Sequence, residues 1–392
     1  MNLLGMKIAV IGGGIAGLAA SRALALRGAS VTVLEQAAEI SEVGAGLQIS
    51  PNGFAVLDAL GLGDALRRRA VQGQAVSLRD YRKGEVLRLD LTRLENRNYY
   101  FVHRADLIDL LAEGARDAGV KLRLLQQVSD VVPGNPPTIR LTTGADLHPD
   151  LVIGADGLHS PSRRALNGAD RPFFTRQVAW RATVPNTLGL GPVARVHMGP
   201  GRHVVSYPLR GGDLVNIVAV QERRSWTDEG WNHADDPANL RAAFADFGPE
   251  VSQMLAQVSE VNLWGLFRHP VAARWFGENT AILGDAAHPT LPFLAQGASM
   301  GLEDAWALAD ELAMTDSLAA GLAAYQLRRR ARATKVINAA TGNAWKYHLG
   351  FSPFRFAAHT ALRLGGALMP DRMMHQFDWL YLHDETRQPH VA

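Results

Sequence analysis

The first 35 residues alternate between apolar runs and a glycine-rich break. An apolar run from Ile8 to Ile11 predicts a buried strand, and Ala19 to Leu26 has the composition of a helix. A second apolar run, from Val31 to Leu34, predicts another strand. Residues 7–35 therefore predict a β-α-β unit, in which one helix joins two parallel strands.

Glycines separate the first predicted strand from the helix. Gly12, Gly14 and Gly17 have the spacing G-x-G-x-x-G. In a dinucleotide-binding turn the first glycine permits the tight turn, the second lets a pyrophosphate approach the backbone, and the third lets helix and strand pack closely. Glu35 follows Gly17 by 18 residues and could accept a hydrogen bond from a ribose 2′-hydroxyl. The unit predicts a dinucleotide site; the alternative is a glycine-rich turn that binds nothing.

The later patterning predicts more strands of both kinds. Residues 75–92 alternate and predict a hairpin turned at Lys83 and Gly84. Buried strands precede Asp156 and Asp285, and a β-rich stretch from about Arg176 predicts an antiparallel sheet. The expected fold is α/β, an α+β composite with a Rossmann-like nucleotide-binding domain, an inserted antiparallel β-sheet domain and C-terminal helices. The corresponding residues are 1–72, 100–175 and 271–335 for the first, 73–99 and 176–270 for the second, and 336–392 for the helices.

Composition narrows the functional classes. The 392 residues include 40 basic and 38 acidic ones, a formal charge of +2 that indicates no particular partner. No basic stripe with interleaved aromatic residues is present, so we expect no nucleic acid. The absence of cysteine excludes thiolate metal sites and cysteinyl-linked flavin and suits a reducing cytoplasm. The histidines lack ligand spacing, so no metal is expected.

The sequence gives no reason to expect stable membrane insertion. No run reaches 18 uncharged apolar residues. The best candidate, Phe354 to Met369, contains Arg355 and Arg363 and so predicts a surface or core helix.

Several polar residues at predicted strand ends are candidate ligands. Arg104 precedes a helix, and the residues alone leave it equally a surface arginine or a cation that reaches a cofactor. Asp156-Gly157 could equally form a plain strand-to-helix turn. Asp285 lies between a strand end and a helix N-terminus, where polyol hydroxyls and an anion could bind. We expect Glu303 and Asp304 to lie in the first turns of a helix, where they suit the helix dipole, rather than to act as acid–base catalysts. We expect the basic run 328–332 to form a solvated face.

His203, Val205 and Tyr207 share one face if RHVVSYP is a strand. The ends of this row would lie roughly 13 Å apart at ~3.3 Å per residue, which could flank a small ring. The residues alone favour the alternative, a core histidine and tyrosine whose hydrogen bonds are satisfied within the protein.

Three separated segments together resemble one family. They are GGGIAG with Glu35, GADG at 154–157 and LGDAAHP at 283–289. Their order and content resemble the single-component FAD-dependent aromatic hydroxylases, the para-hydroxybenzoate hydroxylase-like flavoproteins, over nearly the whole chain. The strand region from 201 to 220 and FDWLYLHD at 377–384 add similarity to the salicylate, 3-hydroxybenzoate and 6-hydroxynicotinate hydroxylases.

The resemblance implies non-covalent FAD, with NADH or NADPH as co-substrate, and assigns roles to residues. His203 and Tyr207 would be the catalytic residues that face the substrate. The residues it places at FAD are Gly12, Gly14, Ile15, Ala16, Gly17, Glu35, Gln36, Gln48, Arg104, Val128, Asp156, Asp285, Pro292, Gly297, Ala298 and Ser299. Gln48 stands where some relatives carry a basic residue, so the partner of the substrate's anion stays open.

The implied reaction is hydroxylation of a small aromatic, phenolic or N-heteroaromatic acid-like, by O₂ through a flavin C4a-hydroperoxide. The ordinary pKa of a histidine, about 6.5, would suit His203 as the base that removes a phenol proton, with Tyr207 orienting or relaying it. A flavin dehydrogenase without oxygen insertion is the enzymatic alternative, and a non-catalytic flavin or NAD sensor is the alternative from another class. A cytoplasmic homodimer is the expected form.

Overall fold

A computed structural model describes residues 2–40, 45–94, 98–225 and 233–390, apart from the side chain of Ala344. The fold is mixed α/β, as the patterning predicts. Within these residues the main sheets have six and eight strands, and two three-stranded sheets lie at their margins.

In chain order, the strands of the described residues are β1 (Lys7–Ile11), β2 (Ser30–Leu34), β3 (Gly46–Ile49), β4 (Val71–Gln72), β5 (Ala75–Asp80), β6 (Glu85–Asp90), β7 (Tyr100–His103), β8 (Lys121–Arg123), β9 (Val128–Val132), β10 (Thr138–Leu141), β11 (Asp146–Leu147), β12 (Leu151–Gly154), β13 (Phe173–Pro185), β14 (Val193–Gly199), β15 (Arg202–Leu209), β16 (Leu214–Glu222), β17 (His233–Asp235), β18 (Val261–Arg268), β19 (Phe276–Gly277) and β20 (Thr280–Ile282).

The helices of the same residues are α1 (Ile15–Ala25), α2 (Pro51–Ala59), α3 (Gly63–Arg69), α4 (Arg104–Asp117), α5 (Pro161–Asn167), α6 (Pro237–Ala243), α7 (Pro249–Ala256), α8 (Gly297–Met314), α9 (Leu318–Tyr347), α10 (Ser352–Leu368), α11 (Pro370–His375) and α12 (Asp378–Tyr381). Short 3₁₀ turns occupy Gly284–Ala286, Pro292–Leu294 and Glu385–Arg387.

The six-stranded sheet brings the predicted strand ends to one edge. Its order is β19-β20-β12-β1-β2-β8, parallel except for β19. β1 and β12 are almost wholly buried, which accounts for their continuous apolar runs. Because parallel strands end at one edge, the glycine turn after β1, Asp156 after β12 and Asp285 after β20 lie along it.

The eight-stranded sheet is the second main sheet of the fold. Its order is β17-β18-β13-β16-β15-β14-β5-β6. The pairs are antiparallel except for β5 with β14. Through this parallel pair the hairpin β5-β6, which comes from an earlier part of the chain, joins the sheet. The predicted hairpin and the β-rich stretch thus form one sheet.

The C-terminal helices are as predicted in kind. Among the described residues, no helix is both long enough and apolar enough to cross a bilayer. Outside the C-terminal region, the pair α6 and α7 lies between β17 and β18.

Candidate active site

A continuous cavity of about 1240 Å³ lies between the two main sheets. Gly12 and Glu35 line one end, His203 and Tyr207 line the wall formed by β15, and Leu362 of α10 lines the far side. Ordinary small-molecule sites measure ~300–1,000 Å³. The cavity therefore has room for a dinucleotide together with a small second molecule.

Most residues that the sequence proposed as ligands line this cavity. They are Gly12, Gly14, Ile15, Ala16, Glu35, Gln36, Gln48, Arg104, Val128, Asp156, Asp285, Pro292, Gly297 and Ala298, with His203 and Tyr207. Gly17 and Ser299 lie behind the cavity wall. The Ser299 side chain is fully buried, and its Oγ lies 3.2 Å from Ser50 Oγ.

The three fingerprint glycines have three different surroundings. Gly12 has a φ of +105°, and a Cβ there would collide with the carbonyl oxygen of Ala155. A Cβ on Gly17 would collide with the carbonyl oxygen of Gly12. A Cβ on Gly14 would meet nothing within 4 Å. The turn thus needs its first and third glycines for its own packing, whereas the second leaves open space in front of the backbone at the start of α1.

The carboxylate of Glu35 is held at the end of β2. Its Oε2 accepts a hydrogen bond from the Gly13 amide at 2.7 Å, and its Oε1 accepts one from the Ala37 amide at 2.8 Å. Each oxygen keeps further acceptor capacity. Glu35 also lines the cavity, so it can still receive the hydroxyls of a ribose.

Arg104 and Asp285 face the middle of the cavity. Arg104 begins α4, and its amide donates to the carbonyl oxygen of Ala45 at 2.9 Å. Burial lowers the pKa of Arg104, and nearby Asp285 opposes that change. Burial raises the pKa of Asp285, with His288 and Arg104 acting the other way. The Asp285 side chain is exposed to the cavity, which suits an acceptor for polyol hydroxyls.

Asp156 anchors the start of α5 as well as lining the cavity. Its carboxylate accepts hydrogen bonds from the Ser160 hydroxyl and from the Ser162 amide, the latter at 3.0 Å. Ser160 is the N-cap of α5 and accepts a hydrogen bond from the Arg163 amide at 2.7 Å. The Asp-Gly turn is therefore structural and also borders the cavity, and binding of a cofactor by Asp156 stays a prediction.

The loop before α8 is fixed from behind by hydrogen bonds. Gln296 Nε2 donates to Ser50 Oγ at 2.9 Å, and Asn52 Nδ2 donates to Gln296 Oε1 at 3.1 Å. Pro292, Gly297 and Ala298 remain on the cavity side. The N-terminus of the 18-residue helix α8 consequently points at the cavity, where it favours negative charge.

Buried ion pairs support this loop, and they correct two expectations. Glu303 and Asp304 are fully buried, and Arg329 approaches them at 2.7 and 2.8 Å. Arg332 also reaches Glu303, at 2.8 Å, and Glu385 reaches Arg329 at 2.6 Å. The two acids are therefore buried partners of arginines rather than helix-start residues that suit the dipole. The predicted solvated basic run instead turns three of its arginines inward.

His203 and Tyr207 both lie on β15, with their side chains on the cavity wall. Each also has neighbours within the protein: His203 Nδ1 lies 2.7 Å from His348 Nε2, and the Gln48 and Asn216 side chains act on the Tyr207 hydroxyl and oppose the rise in its pKa. Both side chains are thus buried beside protein neighbours and also line the cavity, and their role toward a substrate stays a prediction.

The pKa values of these two residues move away from neutrality. Burial lowers the pKa of His203 well below its ordinary value, and His348 adds to this. The expectation of an unperturbed histidine was therefore wrong, because the ring is fully enclosed. Burial raises the pKa of Tyr207 above its ordinary range. At neutral pH, His203 is a neutral acceptor and Tyr207 a hydrogen-bond donor.

Arg181 of β13 is a cavity residue that sequence reasoning missed. It lines the cavity near Tyr207, and its guanidinium carbon lies 4.2 Å from the centre of the Trp264 ring. Burial and the neighbouring Arg104 lower its pKa to about 10. Its Nε has no hydrogen-bond partner among the described residues. A signal existed, since Arg181 interrupts the apolar alternation of VAWRATVP.

Comparison with known proteins now gives the family. A model described as an FAD binding domain matches residues 5–340. A 3-amino-4-hydroxybenzoate 2-monooxygenase, PtmB3 of Streptomyces platensis, is 34% identical over 96% of this chain and 95% of its own length. The 3-hydroxybenzoate 6-hydroxylase of Klebsiella oxytoca is 34% identical over 85% of this chain and 86% of its own.

The chain belongs to the FAD-dependent aromatic monooxygenases. A solved salicylate hydroxylase substrate complex matches its fold with a TM-score of 0.82 at 25% identity, covering 99% of each chain. The predicted family, FAD cofactor and monooxygenase activity are thereby confirmed. Members of this family take their electrons from NADH or NADPH.

The cavity fits FAD on its own geometry. The open space at Gly14 admits a diphosphate to the start of α1, and Glu35 offers ribose acceptors. Asp285 offers an acceptor to the ribityl chain. These features lie along one edge of the parallel sheet, in the order in which an extended dinucleotide would meet them.

Proposed function

We propose that this monooxygenase hydroxylates a small aromatic acid that carries a phenolic hydroxyl or its N-heteroaromatic equivalent. The supporting observation is the position of Arg181 beside His203 and Tyr207 on one wall of the cavity. A cation, a proton donor and a proton acceptor are the groups that a hydroxylated carboxylic acid needs. Two relatives, named for hydroxybenzoate substrates, agree with this class.

We propose that the fingerprint, strand-end and loop residues named above as lining the cavity hold the FAD. When bound, FAD supplies the electron transfer from NAD(P)H and the activation of O₂. Gly14 leaves room for its diphosphate, and the amides at the start of α8 stabilise negative charge on its ring system. Only one dinucleotide fingerprint is present, so the nicotinamide co-substrate visits without a Rossmann unit of its own.

The protein's part in the reaction is to orient and to move one proton. In this proposal Arg181, rather than Gln48, pairs with the substrate carboxylate. Tyr207 donates a hydrogen bond to the substrate, and His203 accepts the phenolic proton, which makes the ring electron-rich. General-base help of this kind typically gives a factor of ~10²–10⁴ in rate. The apolar walls exclude water.

The test is a screen of FAD-loaded protein with 3-hydroxybenzoate, 3-amino-4-hydroxybenzoate and 6-hydroxynicotinate. We expect at least one to stimulate NADH or NADPH oxidation, with O₂ consumed and a hydroxylated product formed in equal amounts. Benzoate and phenol are matched controls, since each lacks one of the two groups. Stimulated NAD(P)H oxidation without an oxygenated product would contradict the proposal.

We propose that two copies pair through α10 and that the enzyme works in the cytoplasm. Phe354, Ala357, Ala361, Leu364 and Leu368 are exposed at alternating spacings of three and four residues, which makes an apolar stripe. A second copy would cover this stripe by an antiparallel helix contact. Light scattering should give twice the mass of the chain for the wild type and the single mass for Leu364→Glu with Leu368→Glu; a monomeric wild type would contradict pairing.

A further inference from the structure

We propose that His203, His348 and Glu222 form a proton relay that carries the substrate's phenolic proton from the cavity to solvent. The inference rests on the proposed function, in which His203 accepts that proton. His348 and Glu222 touch neither substrate nor cofactor. They are positioning residues that act through His203.

The relay is continuous and ends at the surface. His203 Nδ1 lies 2.7 Å from His348 Nε2, and His348 Nδ1 lies 2.8 Å from Glu222 Oε1. The two histidines are buried, at 1% and 6% exposure, whereas the Glu222 side chain is 53% exposed. Three side chains from β15, the end of α9 and β16 thus connect the cavity with water.

One arrangement of protons satisfies every contact. The Glu222 carboxylate can only accept, so His348 Nδ1 carries a proton and donates it. His348 Nε2 is then an acceptor, and His203 Nδ1 must be the donor to it. His203 Nε2 is therefore left as an acceptor, and it is the ring nitrogen available to a ligand in the cavity.

This arrangement can pass a proton without a lasting buried histidinium, and the negative charge that remains is the phenolate of the substrate. The phenolic O–H bond breaks as a proton joins His203 Nε2. His203 Nδ1 gives its proton to His348 Nε2, and His348 Nδ1 gives its proton to Glu222, which releases it to water. No electron is transferred, and each histidine ends neutral. The same steps in reverse reprotonate the product and restore the starting tautomers.

The surroundings explain why a relay is needed. The His203 ring is enclosed by Phe293 and Tyr347, with ring centres 5.4 Å away in both cases. Burial lowers the pKa of His348 too, and Glu222 opposes this. Among the described residues, the titratable groups seen in contact with the His348 ring are His203 and Glu222, and Tyr347 packs against the His203 ring. A histidinium enclosed in this way would be costly, so a proton taken from the substrate must move on.

The test follows proton release when 3-hydroxybenzoate binds to the FAD-loaded protein. Phenol red in weakly buffered stopped-flow solution reports the released proton, and flavin absorbance reports binding. We expect Glu222→Gln to slow proton release about tenfold while the Kd changes less than twofold. Glu260→Gln, at another exposed carboxylate, is the matched control and should release protons at the wild-type rate.

A second variant separates a relay from a packing role. His348→Ala should slow proton release by about a hundredfold, and added imidazole should restore much of the rate, because imidazole can occupy the space and carry the proton. The pH dependence of the hydroxylation rate should move in Glu222→Gln. Wild-type proton release and an unchanged pH profile in Glu222→Gln would overturn the relay.

A measurement without substrate keeps this inference separate from the proposed function. If none of the phenolic acids perturbs the flavin, the proposed function fails. Nitrogen-15 NMR of the histidine rings then decides the relay. We expect Glu222→Gln to shift the His348 titration by more than half a pH unit and to move the His203 ring signals with it, as Glu260→Gln does not. Unchanged histidine titrations in Glu222→Gln would overturn the relay.

Discussion

Buried charges between α8 and α9 differ from those on the cavity wall in how they are paired. Glu303 and Asp304 of α8 and Arg329 of α9 are fully buried and paired at 2.7 and 2.8 Å. On the wall, Arg181 and Asp285 face the cavity. Burial lowers the pKa of Arg181 and raises the pKa of Asp285, so it favours the neutral form of each. Asn52 connects the paired charges to the loop before α8, because its Nδ2 donates to both Glu303 Oε1 and Gln296 Oε1. Arg181 and Asp285 instead line the cavity, where a ligand can reach them. The same residue types therefore serve stability in one region and binding in the other.

The largest expected effect comes from breaking the paired region. Arg329→Met leaves three buried carboxylates short of a cation, and losing one partner of a buried pair typically costs 3–5 kcal/mol. Urea unfolding should show that loss in the free energy of unfolding. Arg330→Met, on the exposed neighbour in the same helix, should change it by less than about 0.5 kcal/mol. Equal losses in the two variants would show that the buried pairs of Arg329 contribute no more to stability than the exposed Arg330 does.

The same substitution on the cavity wall should spare the fold. Arg181→Met removes a desolvated cation, so we expect no loss in the free energy of unfolding. Binding of a carboxylate substrate should weaken by roughly 10–150-fold, since hydrogen bonds to charged groups contribute about 1.5–3 kcal/mol. The Kd of 3-hydroxybenzoate, measured by flavin absorbance, checks this, with phenol as the control ligand. An equal loss for phenol would show that Arg181 acts on the pocket's shape rather than on the carboxylate.

Acid should weaken the paired region selectively. Arg329 and Arg332 lower the pKa of Glu303, and His288 and Arg329 lower that of Asp304, against the effect of burial. Their stabilisation is present above the unfolded pKa values, about 4, and is lost as pH falls through the folded ones. The free energy of unfolding should fall by up to about 1.4 kcal/mol per pH unit per carboxylate below pH ~4. A curve as steep in Arg329→Met would exclude these pairs as the cause.

The smallest expected effect is at Tyr207. Tyr207→Phe keeps the ring packed 5.2 Å from Phe101 and removes the hydroxyl, which neighbours Gln48 and Asn216 and would donate to the substrate. The loss of one neutral hydrogen bond, about 0.5–1.5 kcal/mol, predicts a roughly 2- to 12-fold drop in kcat/KM with the free energy of unfolding little changed. Steady-state kinetics with the preferred phenolic acid checks it. A drop beyond a hundredfold would make Tyr207 part of the proton path.

Local order explains what the sequence predicted well. The glycine turn, the strand-end acids and the β15 row depend on neighbours a few residues away, so their spacing carries the information. His348 lies 145 residues from His203, and Arg329 lies 25 from Asp304. Nothing in the local pattern of either residue indicates its partner. The basic run was misinterpreted for this reason: the helical period turns Arg328, Arg329 and Arg332 inward, but only the fold supplies the acids that meet them.

Glu385, near the end of the described residues, connects this part of the chain to the ion pairs of α8 and α9. Its carboxylate reaches Arg329, which in turn holds the acids under the loop before α8. Removing the segment from residue 385 onward would therefore loosen a distant loop, although none of the described residues 385–390 lines the cavity. A protease that clips there should release yellow colour into the filtrate before it unfolds the sheets, which makes flavin retention a convenient gauge of whether this end is intact.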